Sequence, residues 1–199
     1  MKNRFFLVVA TVAAVALMTS CAKVPQEAID AAKAAIETAK TAQADVYFPA
    51  EFAALNDQLT VINQDIETQK SKTAKDFKLV KTNVEAIALQ AGELGGKVEA
   101  KKAEVKAEAE GMMTGVTTLL DEAKALLLKA PKGKEGKAVL EQMKNELTAV
   151  ETSLADAKTV FDGGTNYVQV VDKVKAATET VNGIIAELKA AIVKAGGKI

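Results

Sequence analysis

The chain reads as all-α: heptad-patterned antiparallel helices that form either two tandem three-helix units or one elongated helical bundle. Three observations predict this. Apolar residues recur at alternating spacings of three and four through most of the chain, the period of a buried helix face and not of a strand. The clearest turn signals, Tyr47-Phe48-Pro49, Pro131 to Gly136 and Asp162-Gly163-Gly164, fall between those runs. Finally, the two halves carry the same seam about 90 residues apart.

Residues 1–20 read as a signal peptide. Lys2 and Arg4 make a basic start, and Phe5 to Leu17 is apolar apart from Thr11. That run of 13 residues is shorter than the roughly 20 a membrane-spanning helix needs. Met18-Thr19-Ser20-Cys21 then resembles the bacterial lipobox, with Met18 where Leu is usual. The resemblance implies lipidation of Cys21, cleavage before it and acylation of the new amino terminus. Two or more acyl chains anchor a protein stably where one does not. An ordinary signal peptide with an incidental cysteine is the competing reading. Cys21 is the only cysteine, and acylation removes a free thiol that an oxidising compartment would expose. Ala22 and Lys23 follow it where inner-membrane lipoproteins often carry Asp, so the resemblance favours the outer membrane, facing the periplasm.

Residues 21–25 are a short lipidated tether ending at Pro25, a residue suited to a first helical turn. A first helix is expected from Gln26 to about Asp45, with Ile29, Ala32, Ile36, Ala39, Gln43 and Val46 on one face. Pro49 and Glu51 open a second, whose seam is Phe52, Leu55, Leu59, Ile62 and Ile66. Thr73-Ala74-Lys75-Asp76 resembles a capping box and places the start of a third helix there. Its seam begins Phe77, Val80, Val84, Ile87, Ala91, Leu94, Val98. The same register then reaches Lys101, Val105, Glu108 and Met112, and after a slip resumes at Val116, Leu119, Ala123, Leu126 and Ala130. Two readings stay open. One helix runs from about Thr73 to Ala130, or Gly92, Gly95, Gly96, Gly111 and Gly115 break it, each costing about 1 kcal/mol relative to Ala. After Pro131-Lys132-Gly133-Lys134-Glu135-Gly136, a further helix carries Leu140, Met143, Leu147, Val150, Leu154, Ala157 and Phe161. Thr165 or Asn166 caps the last, whose seam is Val170, Val174, Ala177, Val181, Ile184, Leu188 and Ala191.

Phe52, Leu55, Leu59, Ile62 and Ile66 align with Leu140, Met143, Leu147, Val150 and Leu154 at a constant offset of 88. Phe77, Val80 and Val84 align with Tyr167, Val170 and Val174 at an offset of 90. The repeat divides the chain into a first three-helix unit, 26–98, a charged helical linker, 99–111, and a second unit, 112–199. The arrangement is spectrin-like by architectural analogy. In and just before the linker, Glu99, Glu104, Glu108 and Glu110 alternate with Lys97, Lys101, Lys102 and Lys106, a spacing that suits ion pairs on a solvated helix.

Composition excludes several chemistries. Without the signal peptide, 24 basic face 26 acidic residues, a net charge near −2. The remainder has no Arg, His or Trp, which argues against nucleic-acid recognition. Zinc and transition-metal sites lose their usual ligands, and Ser-His-Asp and Cys-His catalysis are ruled out. No catalytic residue, metal ligand or cofactor site is identified.

Ala-rich helices behind a lipobox, with Tyr47-Phe48-Pro49-Ala50-Glu51 at one turn and Asn166-Tyr167 at another, resemble small periplasmic lipoproteins with helical domains of unknown function. A looser similarity is to murein lipoprotein, coupled to peptidoglycan through a C-terminal Lys; here Lys198 is followed by Ile199. The expectation is a non-enzymatic lipoprotein: a membrane-tethered spacer, or a module that docks an envelope protein or peptidoglycan. The seams would equally serve an oligomer. Tyr47, Phe48 and Tyr167 are the candidate partner contacts, or else they close the bundle ends. Binding of a lipid or small apolar ligand between the helices is the alternative.

Overall fold

The structure, a computed structural model, describes residues 23–131, 133 and 136–198. Every regular element among them is a helix. The chain groups into two compact units, one ending at Val98 and the other beginning at Glu99.

The first unit opens with α1, Gln26–Thr41, which buries Ile29, Ala32, Ile36 and Ala39. This helix stops short of the expected Asp45. The Thr38 and Thr41 hydroxyls donate to the carbonyls of Ala34 and Glu37, and Gln43 turns left-handed at φ 73°. Its N–H donates to the Lys40 carbonyl at 2.7 Å, closing the end. The reversal shifts the buried face by one residue. In the single turn α2, Ala44–Tyr47, the buried residues are Ala44 and Tyr47, not the expected Gln43 and Val46. Pro49 occupies the first position of α3, Pro49–Ser71, as its sequence suggests. Leu55, Ile62 and Ile66 are buried there, while Phe52 and Leu59 are half-buried.

The next helix, α4, spans Lys78–Lys129, 52 residues. It begins later than the capping-box reading places it. Asp76, not Thr73, holds its start, accepting the Lys78 N–H on Oδ1 at 2.9 Å, and Phe77 is buried just ahead of it. The continuous reading therefore holds: the glycines do not interrupt the helix. One of them works for it. A Cβ on Gly95 would lie 3.4 Å from Ala39 Cα, so α1 and α4 pack here nearly backbone to backbone. Gly92, Gly96, Gly111 and Gly115 face open space.

The second unit takes α4 from Glu99 onward, then α5, Gly136–Gly163, and α6, Tyr167–Lys194. Two expectations change in this part of α4. Ala109 is buried where the seam placed Glu108, and Leu120 is buried where it placed Leu119. Val98, Ala109 and Leu120 are all buried, a drift of 11 residues per three turns, which suits a straight helix better than a strict heptad does. Residues 99–111 are thus no bare linker. They bury Val105 and Ala109, and Glu108, displaced to the flank, pairs with Lys175 of α6 at 3.7 Å.

Gly164, at φ 66°, ends α5, and Asn166 rather than Thr165 caps α6, accepting the Gln169 N–H at 3.0 Å. Replacing Asn166 with Ala is expected to destabilise the second unit by about 1 kcal/mol, read by urea titration, because one N–H loses its acceptor. Gly196, at φ 78°, closes the far end. Its N–H and that of Gly197 donate to Val193 and Ile192 carbonyls, both at 2.9 Å.

The repeat is visible in the burial. Val80, Val84, Ile87, Ala91, Leu94 and Val98 are buried, and so are their partners at an offset of 90, Val170, Val174, Ala177, Val181, Ile184 and Leu188. All 37 buried residues among those described are hydrophobic, so each unit is held by apolar burial and packing.

Candidate functional site

The sequence nominated four positions. Cys21 lies outside the described residues. Tyr47 is 5 % exposed and Tyr167 is 7 % exposed, so both belong to the core of their own unit, while Phe48 is half-buried. Tyr47 is buried in α2, the single turn that follows the Gln43 reversal and packs against both α1 and α3. Tyr167 sits at the α5–α6 turn against Phe161, edge to face, with ring centroids 5.3 Å apart. Lys106 Nζ lies 5.9 Å from both ring centres. Both tyrosine rings are thus largely covered by their surroundings.

The charged positions also settle into local roles. Lys101 pairs with Glu104 one turn on, at 2.9 Å. Lys189 reaches Glu122 at 2.7 Å, and Lys124 bridges to Glu151. These pairs tie α4 to α6 and to α5, but they are exposed, and each contributes at most about 1 kcal/mol. Donating a hydrogen bond to the Glu151 carboxylate, and then the negative charge of that carboxylate, hold the Lys124 ammonium above its ordinary pKa near 10.5. Among the described residues, no group of three carboxylate, His or Cys side chains is placed to hold a metal ion.

What the sequence reading missed is a groove of about 710 Å³ in the second unit, between the end of α4 and the start of α5. Leu127, Leu128, Leu140 and Leu147 line it, with Lys124, Lys137, Lys144, Glu141 and Glu151 among the polar residues at its edge. Leu147 is buried, Leu127 and Leu140 are half-buried, and Leu128 is 78 % exposed. A signal was present: Leu126-Leu127-Leu128 puts leucine on three successive positions, more than one face of a helix can bury. The heptad seam takes Leu126 alone and leaves Leu127 and Leu128 outside it.

Comparison with known proteins finds no family model, no curated protein and no solved structure that matches the chain.

Proposed function

We propose that the chain is a bacterial lipoprotein, anchored through Cys21 to the outer membrane and facing the periplasm, whose helical units act as a non-enzymatic spacer or docking module. The observation that carries this reading is the ordered series of basic start, short apolar run and Met18-Thr19-Ser20-Cys21. Two further features support it. None of the described helices is long and apolar enough to cross a membrane, so attachment would fall to the lipid. Each of the two compact units has a buried hydrophobic core and exposed ion pairs on its surface. In that role an envelope protein or peptidoglycan would be the partner.

The test is radiolabelled palmitate incorporation and membrane fractionation of the full chain and of Cys21→Ser, expressed in a double-membrane bacterium. Label on the native chain, lost in the variant together with membrane association, is the expected result. An unlabelled native chain would overturn the anchor. Chemical crosslinking of intact envelopes that captures neither protein nor peptidoglycan would overturn docking and leave the spacer.

A further inference from the structure

From the groove between α4 and α5 we infer a binding site for one long-chain fatty acid, the alkyl chain lying on the leucines and the carboxylate meeting lysine at the edge. The inference rests on the second unit's geometry and not on Cys21, so it can fail or stand independently of the anchor.

The internal repeat supplies the first argument. In the first unit, the corner between α1 and α3 is filled from within: the connection contributes buried Ala44 and Tyr47 and half-buried Phe48. The second unit makes the matching connection with Pro131-Lys132-Gly133-Lys134-Glu135-Gly136. That segment has no aromatic and, beyond Pro131, no sizeable apolar side chain. Yet the residues it would have to cover stay apolar. Leu140 stands at the position of Phe52, and Leu128 projects unburied from α4. The first unit's connection carries an apolar plug, and the second's has no apolar counterpart to it in sequence.

Chemistry selects the occupant. The apolar lining is wholly aliphatic, suited to an alkyl chain rather than to ring stacking, and its volume lies in the ordinary range for small-molecule sites of about 300–1,000 Å³. Charge selects the head group. Three lysines stand against two glutamates at the groove, Glu151 is engaged by Lys124, and Glu141 lies 3.7 Å from Lys144. Among the described residues lining the groove, Lys137 has no carboxylate partner, which leaves a cation at the edge of an apolar trough. An anionic head is attracted there and a cationic one repelled.

The experiment is fluorescence titration of the chain from Ala22 onward, which keeps every described residue, with dansyl-labelled undecanoic acid and with palmitate as competitor. Saturable binding of one probe per chain, displaced by palmitate, is expected. Leu128→Asp is expected to weaken it about tenfold or more, because a charge then stands against the alkyl chain. Leu128 is exposed, so this variant is expected to keep native helicity, checked by circular dichroism. Lys137→Glu is expected to weaken the probe several-fold, while the inhibition constant of hexadecanol, which lacks the charge, stays the same in native and variant chains. Absence of saturable binding, or binding indifferent to Leu128→Asp, would overturn the site. Hexadecanol displacing the probe as well as palmitate does, with no effect of Lys137→Glu, would overturn the fatty-acid assignment. Self-association of the native chain that Leu128→Asp abolishes, measured by light scattering without ligand, would mean that a second copy covers the groove, and would overturn it too.

Discussion

Leu188→Ala is expected to lower the stability of the second unit by about 2–5 kcal/mol, measured by urea unfolding followed by far-ultraviolet circular dichroism. Leu188 is fully buried in α6, and its repeat partner Val98 is fully buried in α4. Truncation removes three carbons from a closely packed apolar site, so the loss combines transfer energy with a residual cavity. Ile87→Ala is expected to cost the first unit a similar amount, since Ile87 is 1 % exposed. The contrast is with Leu89→Ala. Leu89 lies two residues away but is 70 % exposed, and its replacement is expected to stay within about 0.5 kcal/mol of native. Equal effects at Ile87 and Leu89 would mean that the buried face of α4 has been misassigned.

Alanine at Gly92, Gly96, Gly111 and Gly115 together is expected to stabilise the chain by about 2–4 kcal/mol, or roughly 0.5–1 kcal/mol per site. Each lies inside α4, and a Cβ built on any of them meets nothing within 4 Å. The gain comes mainly from the unfolded chain, which has fewer conformations to lose. Two of the sites fall before Val98 and two after it, so each unit is expected to gain about half. For a domain of about 100 residues, 1 kcal/mol moves the melting temperature by about 4–8 °C, large enough to read by thermal denaturation. Gly164→Ala is the opposing control. At φ 66° a Cβ is strained, and a loss of about 1 kcal/mol or more is expected. A destabilised quadruple variant would show that α4 needs those glycines in order to bend.

The sequence carried most of the helical architecture because the seams are long and regular. Leu55, Ile62, Ile66, Met143, Leu147 and Val150 are buried where the spacing put them. Failures cluster where a short-range effect competes with the period. At Gln43, one left-handed residue redirects the chain, and nothing in a helical pattern announces it. The start of α4 lies later because Asp76, and not Thr73, accepts a hydrogen bond from the first turn. Glycine frequency suggested a break in α4, but a propensity cost of about 1 kcal/mol per residue is small beside the packing of both flanks. The displacement of Glu108 by Ala109 has the same logic: a seam with a charge in it drifts until an apolar residue takes the place. The groove escaped because period analysis finds what a helix buries. Leu128 matters for being left out.

The wholly apolar interior has a consequence for how the chain finds its fold. Among the described residues no buried charged or polar residue tells one set of helices from the other, and the repeat-matched positions Val80 and Val170, and Val84 and Val174, are identical. Sorting falls to bulk. Ile87 stands where the second unit has Ala177, Ala91 where it has Val181, and Gly95 admits only a helix as slender as α1 at Ala39. Knob size thus works as the parity check of a duplicated message. An exchange of α3 for α5 during refolding would leave steric mismatches, overfilled at one level and hollow at another, and the mispaired chain would have to come apart before it could settle.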